Sequence, residues 1–194
     1  MRNIFNILLL VLIAFLGYLL YANIKEPIAF QAEKKTRKGA VTAQLEKIRK
    51  TQEMYRNIKG EFASDFDTLA HVLRTDSFKF EKIVVDPDDP SNSALFDRVI
   101  SYSMAIDSVN SLGFNLDSLK YVPYTDGGIF TIAADTLTYQ KTLVSVVEVG
   151  TKWKSFMGEF ADAKYQKYDQ SYDPNRMIKF GDLSKPNLGG NWER

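Results

Sequence analysis

The sequence has no cysteine, which excludes disulfides, thiolate zinc sites and a thiol nucleophile and leaves the redox compartment unread. It has one histidine, His71, so His-rich metal centres are excluded, as is any protease-type triad not built on that residue. Charge of one sign is missing too: 25 Lys and Arg face 24 Asp and Glu. That balance argues against a strongly basic nucleic-acid binder and against a highly charged disordered chain. No nucleotide-binding, metal-hydrolase or nucleophile motif occurs. Asp126-Gly127-Gly128 has neither the G-x-G-x-x-G pattern nor the lysine of a phosphate loop, and reads as a hairpin turn. The 194 residues suit one domain of ordinary size with an appendage.

The appendage is the amino-terminal run. Asn3 to Asn23 carries no charge, and Ile7 to Ala22 is apolar apart from Gly17 and the amphipathic Tyr18 and Tyr21. A helix crosses a bilayer with roughly 20 such residues, and the two tyrosines sit where an aromatic belt forms. A cleaved signal peptide is the alternative, but the apolar stretch is long for one and Leu20 stands where a small residue precedes cleavage after Ala22. The run 4–22 is therefore read as a retained anchor in the lipid bilayer. Positive charge lies on both sides, Arg2 before it and Lys25, Lys34, Lys35, Arg37 and Lys38 after it. Taken alone, the five charges after the run would keep the large domain in the cytoplasm. A signal anchor followed by a polar domain more often translocates it, so the expectation is a single-pass protein of the inner membrane with its domain in the periplasm.

Past the anchor Pro27 breaks or kinks the chain, since it pushes Glu26 out of the α region. From Ala32 to Ile58 the pattern is helical, with Val41, Leu45, Ile48, Gln52 and Tyr55 in one stripe. Glu33–Arg37, Glu46–Lys50 and Arg49–Glu53 are i,i+4 pairs on the wet face, and Gly60 ends the helix. The basic run 34–38 reads as a solvated face, with anionic lipid headgroups as the other option. Ser64-Asp65-Phe66-Asp67 has the form of a capping box with Ser64 as cap, and opens a short helix that buries Phe66, Leu69, Ala70 and Leu73. His71 falls on it as an exposed or partly buried helix residue.

Beyond that helix the chain turns β-rich. Phe78–Glu81 and Ile83–Val85 read as strand, Val99–Ile106 as strand or helix, and Leu119–Tyr124, Ile129–Ala133 and Leu143–Val149 as strands. Asp86, Asp88 and Asp89, with Ser91 and Asn92, supply oxygen ligands of the kind calcium takes. The glycine and distal glutamate of an EF-hand loop are missing and Asp-Pro-Asp-Asp-Pro is ordinary turn chemistry, so no cofactor is expected beyond that open question of calcium. From Trp153 onward Pro and Gly punctuate a segment dense in aromatics, which reads as an ordered, irregular arm. Tyr165, Tyr168, Tyr172 and Phe180 make either a carbohydrate or partner platform or a layer packed over the sheet.

Gln44 to Tyr55, followed by Gly60-Glu61-Phe62-Ala63-Ser64-Asp65 and Leu69, is similar to the end of the long helix of type IV pilins and pseudopilins, where a helix runs through an aromatic and a glycine into G-x-[YF]-[AP]-x-[DS], a turn and a leucine. The membrane helix, the early proline, the amphipathic helix and the small β domain resemble the same architecture. Neither a basic leader ending Gly-Phe nor a glutamate in the first apolar turns is present. The resemblance thus implies a pilin-like fold on an unprocessed anchor.

The expected fold is α+β: a transmembrane anchor over 1–26 continuing past the proline into an amphipathic helix over 27–60, packed on a small antiparallel sheet; a β-rich domain over 61–152; and an irregular aromatic arm over 153–194. The expected function is that of a structural or interaction subunit of a cell-envelope assembly for secretion, motility or adhesion, without enzymatic activity. A membrane-tethered periplasmic ligand-binding protein or hydrolase is the alternative. The partners are other envelope proteins or copies of the chain itself, and no nucleic acid. Leu45, Ile48 and Tyr55 on the helix and Trp153, Phe160, Tyr172 and Trp192 on the arm are the candidates for partner contact.

Overall fold

The computed structural model describes residues 2–84 and 97–193. The fold is mixed α+β, with a long amino-terminal helix, two small antiparallel sheets and an aromatic cluster near the carboxyl terminus. Asp86, Asp88, Asp89, Ser91 and Asn92 lie outside the described residues.

Helix α1 runs without interruption over Arg2–Lys59, about 87 Å at 1.5 Å per residue. Pro27 lies inside it. The helix passes through it, as the expected continuation past the proline requires, although proline removes the bond its N–H would give to the carbonyl of Asn23. The turn is held from outside instead, because Glu26 on one side of Pro27 and Phe30 on the other both bind the carboxyl-terminal part of the chain. Gly60 closes the helix with φ +84, its N–H donating to the Arg56 carbonyl at 2.8 Å.

Helix α2 follows over Phe66–Thr75. Its cap is Asp65 rather than Ser64: the Asp65 carboxylate accepts from the Thr68 N–H at 2.7 Å. That bond holds the Asp65 carboxyl below its ordinary range. Phe66, Leu69, Val72 and Leu73 are buried, while Ala70 is half-buried and His71 exposed.

Strands β1 (Ser77–Val84) and β2 (Asp97–Met104) form a two-stranded ribbon, in register from Ser77 opposite Met104 to Val84 opposite Asp97. Helix α3 (Ala105–Ser111) begins where β2 ends, so the stretch 99–106 is strand first and helix last. The expected strand over Leu119–Tyr124 reduces to one bridge, Tyr121 to Ile129, across the Asp126-Gly127-Gly128 turn. Strands β3 (Thr131–Tyr139) and β4 (Thr142–Lys152) make a long hairpin. Its two-residue turn is Gln140-Lys141, with φ +48 and +68. These residues lack the Asn-Gly signature of such turns, so the sequence gives no warning of them.

The carboxyl-terminal segment departs most from expectation. It is not an arm laid over the sheet but supplies one of its strands: β5 (Met177–Gly181) pairs with β4 from Glu148 opposite Gly181 to Lys152 opposite Met177, giving the order β3-β4-β5. Helix α4 (Trp153–Phe156) and two 3-10 turns, Gly158–Phe160 and Ala163–Lys167, precede it. Gly181 has φ +79, and a Cβ there would stand 1.9 Å from the Val147 carbonyl oxygen, so only glycine ends this strand against β4. The core is one cluster joining the α1 stripe, α2, β4, β5 and the aromatics of 156–172.

Candidate functional site

The most distinctive feature is a division of α1 into two halves of opposite character. Every residue from Ile4 to Tyr21 is exposed, and none of the apolar stretch packs on the rest of the chain. From Glu26 onward a single face of the same helix is engaged almost once per turn. Glu26, Phe30, Lys34, Arg37, Val41, Leu45, Ile48, Gln52 and Tyr55 follow one another at intervals of three or four, the spacing of one helical stripe.

The first four of these residues bind the carboxyl-terminal segment. Glu26 accepts a hydrogen bond from the Tyr168 hydroxyl at 2.5 Å and lies 3.8 Å from Lys167. Phe30 is completely buried: its ring stacks on Tyr165 at 5.3 Å between centroids and meets Tyr172 edge-on at 5.1 Å and Phe160 at 5.9 Å. Lys34 pairs with Asp169, whose carboxyl is held down at about 2 by that hydrogen bond and a further one from Ser171. Arg37 donates to the Phe156 carbonyl at 2.8 Å, pairs with Glu33 at 2.7 Å and lies over the Tyr124 ring at 5.0 Å. The basic run 34–38 is therefore divided: Lys35 is exposed, as on a solvated face, and two of the other cations are bound within the chain. Lys34 and Arg37 are half-buried clasps.

The lower stripe enters the core. Val41, Leu45 and Ile48 have no exposed surface, and Tyr55 is 6% exposed. Gln52, wholly buried, donates from Nε2 to the Ala63 carbonyl and accepts from the Ala63 N–H, both at 3.0 Å. That amide pair ties α1 to the loop before α2 and satisfies four polar groups at once. Arg49, expected beside Glu53, reaches Glu193 instead at 2.6 Å.

The partner-contact candidates thus fall into two groups. Leu45, Ile48, Tyr55, Phe160 and Tyr172 are buried within the chain's own fold, where they bind the helix to the domain. The Tyr172 hydroxyl donates to the Phe160 carbonyl at 2.7 Å, and burial pushes its phenol up to about 12. Trp153 and Trp192 are half-buried and line a common cavity. The aromatic layer of Tyr165, Tyr172 and Phe180 is packing, the second of its two expected roles. Among the described residues, no cluster of three or more His, Asp or Glu is arranged to hold a metal ion.

Missed in the sequence is Phe30, the centre of the clasp. Its signal was there, because eleven residues separate it from Val41 and place both on one face, with Lys34 and Arg37 between them. Also missed are the exposed apolar residues of the β1–β2 ribbon: Phe80 and Val99 project from one of its faces, Ile100 and Tyr102 from the other, and Tyr102 is 69% exposed. No protein-family model, no characterised protein and no solved structure matches the chain.

Proposed function

We propose that the protein is a membrane-anchored structural or interaction subunit of a cell-envelope assembly, in which an apolar stem holds a rigid α+β head at the bilayer surface. The observation that carries this reading is the exposure of the whole apolar run Ile4–Tyr21 on a helix whose other half is built into a core. That run is ~27 Å long, close to the thickness of the hydrocarbon layer. Left in water it would cost about 25 cal/mol for each Å² of apolar surface, and a helix satisfies its own backbone bonds in lipid.

A continuous helix passing from stem into head has the layout that the pilin resemblance implies, and the clasp at Glu26, Phe30, Lys34 and Arg37 would carry force or orientation from stem to head without a flexible joint. The two-stranded ribbon offers contact surface on both faces and two open edges, and a ribbon of two strands gains stability by packing on something else. What supports placing the head in the periplasm is the signal-anchor form of the run 4–22 ahead of a polar domain.

The test is co-purification of the full chain in mild detergent after cross-linking, with mass spectrometry of the partners. A stable set of envelope proteins, or the chain itself as oligomer, is expected. Its loss in a Phe80→Glu, Tyr102→Glu variant that keeps its unfolding midpoint would assign the contact to the ribbon. Recovery of the wild-type chain alone, as a monomer, contradicts the subunit role.

A further inference from the structure

One cavity in the head has the chemistry of a ligand site. It is an open cleft of about 210 Å³ between the clasp side of α1 and the end of the sheet, and its walls include Lys34, Lys38, Trp153, Arg176, Asn191 and Trp192. Three cations therefore face one small space. Lys34 is committed to Asp169 and lies over the Trp153 ring at 5.6 Å. The side chains of Lys38 and Arg176 have no acidic or hydrogen-bonding partner among the described residues. Asn191 is already spent: its amide donates to the Met177 carbonyl at 2.8 Å and accepts from the Lys179 N–H at 3.2 Å.

The two indoles complete the site. Trp192 lies on Gly190, where a Cβ would fall 2.4 Å from its ring, so that wall of the cavity is fixed by close packing. Its Nε1 is buried and lacks a hydrogen-bond partner, the one such side-chain atom among the described residues. Buried indole N–H groups ordinarily find an acceptor. That N–H faces packed protein rather than the open space, so Trp192 contributes its ring and not a hydrogen bond to the site.

From these features we infer that the cavity binds a small carboxylate carried on a six-membered ring. The arginine fork and the lysine match a planar carboxylate. The indoles match the face of a sugar or aromatic ring. The volume lies below the several hundred Å³ typical of drug-sized ligands and admits a single ring. Lys38, Arg176, Trp153 and Trp192 are the binding residues; Lys34 and Asp169 position the Trp153 wall. The inference stands apart from membrane anchoring, because every residue in it belongs to the head.

Both tryptophans of the chain line this cavity, so intrinsic fluorescence reports on it without a label. The experiment titrates the full chain in detergent with glucuronate, benzoate, glucose and inorganic phosphate. Saturable change in tryptophan emission with glucuronate or benzoate is expected, about tenfold weaker or worse with neutral glucose. Arg176→Gln and Lys38→Gln should each weaken it by about tenfold at an unchanged unfolding midpoint. Arg176 is exposed, so its variant tests the charge without testing the fold. Stronger response to glucuronate assigns a sugar acid, and stronger response to benzoate an aromatic one. Absence of saturation with both acids, phosphate binding as tightly as either, or a response untouched by both substitutions would overturn the site.

Discussion

The ring of Phe30 lies nearly parallel to that of Tyr165, centroids 5.3 Å apart and planes within 7°. One residue stands a single turn past Glu26 on the head side of the long helix, the other in a 3-10 turn near the end of the chain. The contact closes the molecule on itself where the exposed apolar helix becomes a core helix. It makes stem and head one body rather than an anchor tethered to a domain.

Phe30→Ala should therefore cost about 3–5 kcal/mol, the range for losing a fully buried phenylalanine. Denaturant unfolding of the full chain in detergent measures it. The same variant should expose 158–172 to protease, whereas a loss below about 1 kcal/mol would mean that the cluster closes without Phe30.

Gln52→Leu keeps the volume of the side chain but removes both partners of Ala63. The orphaned N–H and C=O should each cost about 1–3 kcal/mol, while Gln52→Glu retains an acceptor for the N–H and loses the donor to the carbonyl. Unfolding free energies of the two variants check the order: wild type most stable, both variants clearly below it. A neutral Gln52→Leu would contradict the bidentate arrangement.

Stability should fall in acid through Asp169. Its carboxyl is held at about 2 against an ordinary 3.8, first by Lys34 and then by Ser171. A depressed carboxylate contributes in full above its unfolded value and loses that contribution as pH falls through the folded one, so the loss runs from about pH 4 down to about pH 2. Asp169→Asn should flatten that part of the curve, and Lys34→Met should shift its midpoint upward. At the alkaline end the buried Tyr172 phenol, raised from 10.0 to about 12, predicts the opposite edge, stability lost as pH climbs between those values.

Gly181→Ala should be severe, about 3 kcal/mol or more, because the new methyl group would lie 1.9 Å from the Val147 carbonyl oxygen at a φ of +79. Gly113→Ala is the control. Its φ is +67 with nothing within 4 Å, so it carries conformational strain alone, about 1 kcal/mol. Equal effects at the two positions would show that β5 does not press on β4.

The helix stripe was legible because burial imposes a period, and Val41, Leu45, Ile48 and Tyr55 keep it with apolar side chains. The stripe continued unseen to Glu26 because its upper members are Lys34 and Arg37, whose apolar stems bury while their charges pair. Strand β5 was hidden by its length of five residues between irregular segments, where alternation has too few positions to register. The passage of the helix through Pro27 was legible only in outline: local propensity argues for a break or kink, and contacts made by residues far along the chain hold the turn. The ligand cavity has no local signature at all, since Lys38, Arg176 and the two tryptophans meet only once β5 has joined the sheet.

Alkaline carbonate extraction of membranes bearing the full chain, with intact-mass measurement of the extracted protein, decides whether residues 4–22 span the bilayer. A stem that spans the bilayer keeps the protein in the membrane pellet with residues 4–22 still attached. Release into the soluble fraction, whether as the intact chain or as a species beginning near Asn23, would contradict it.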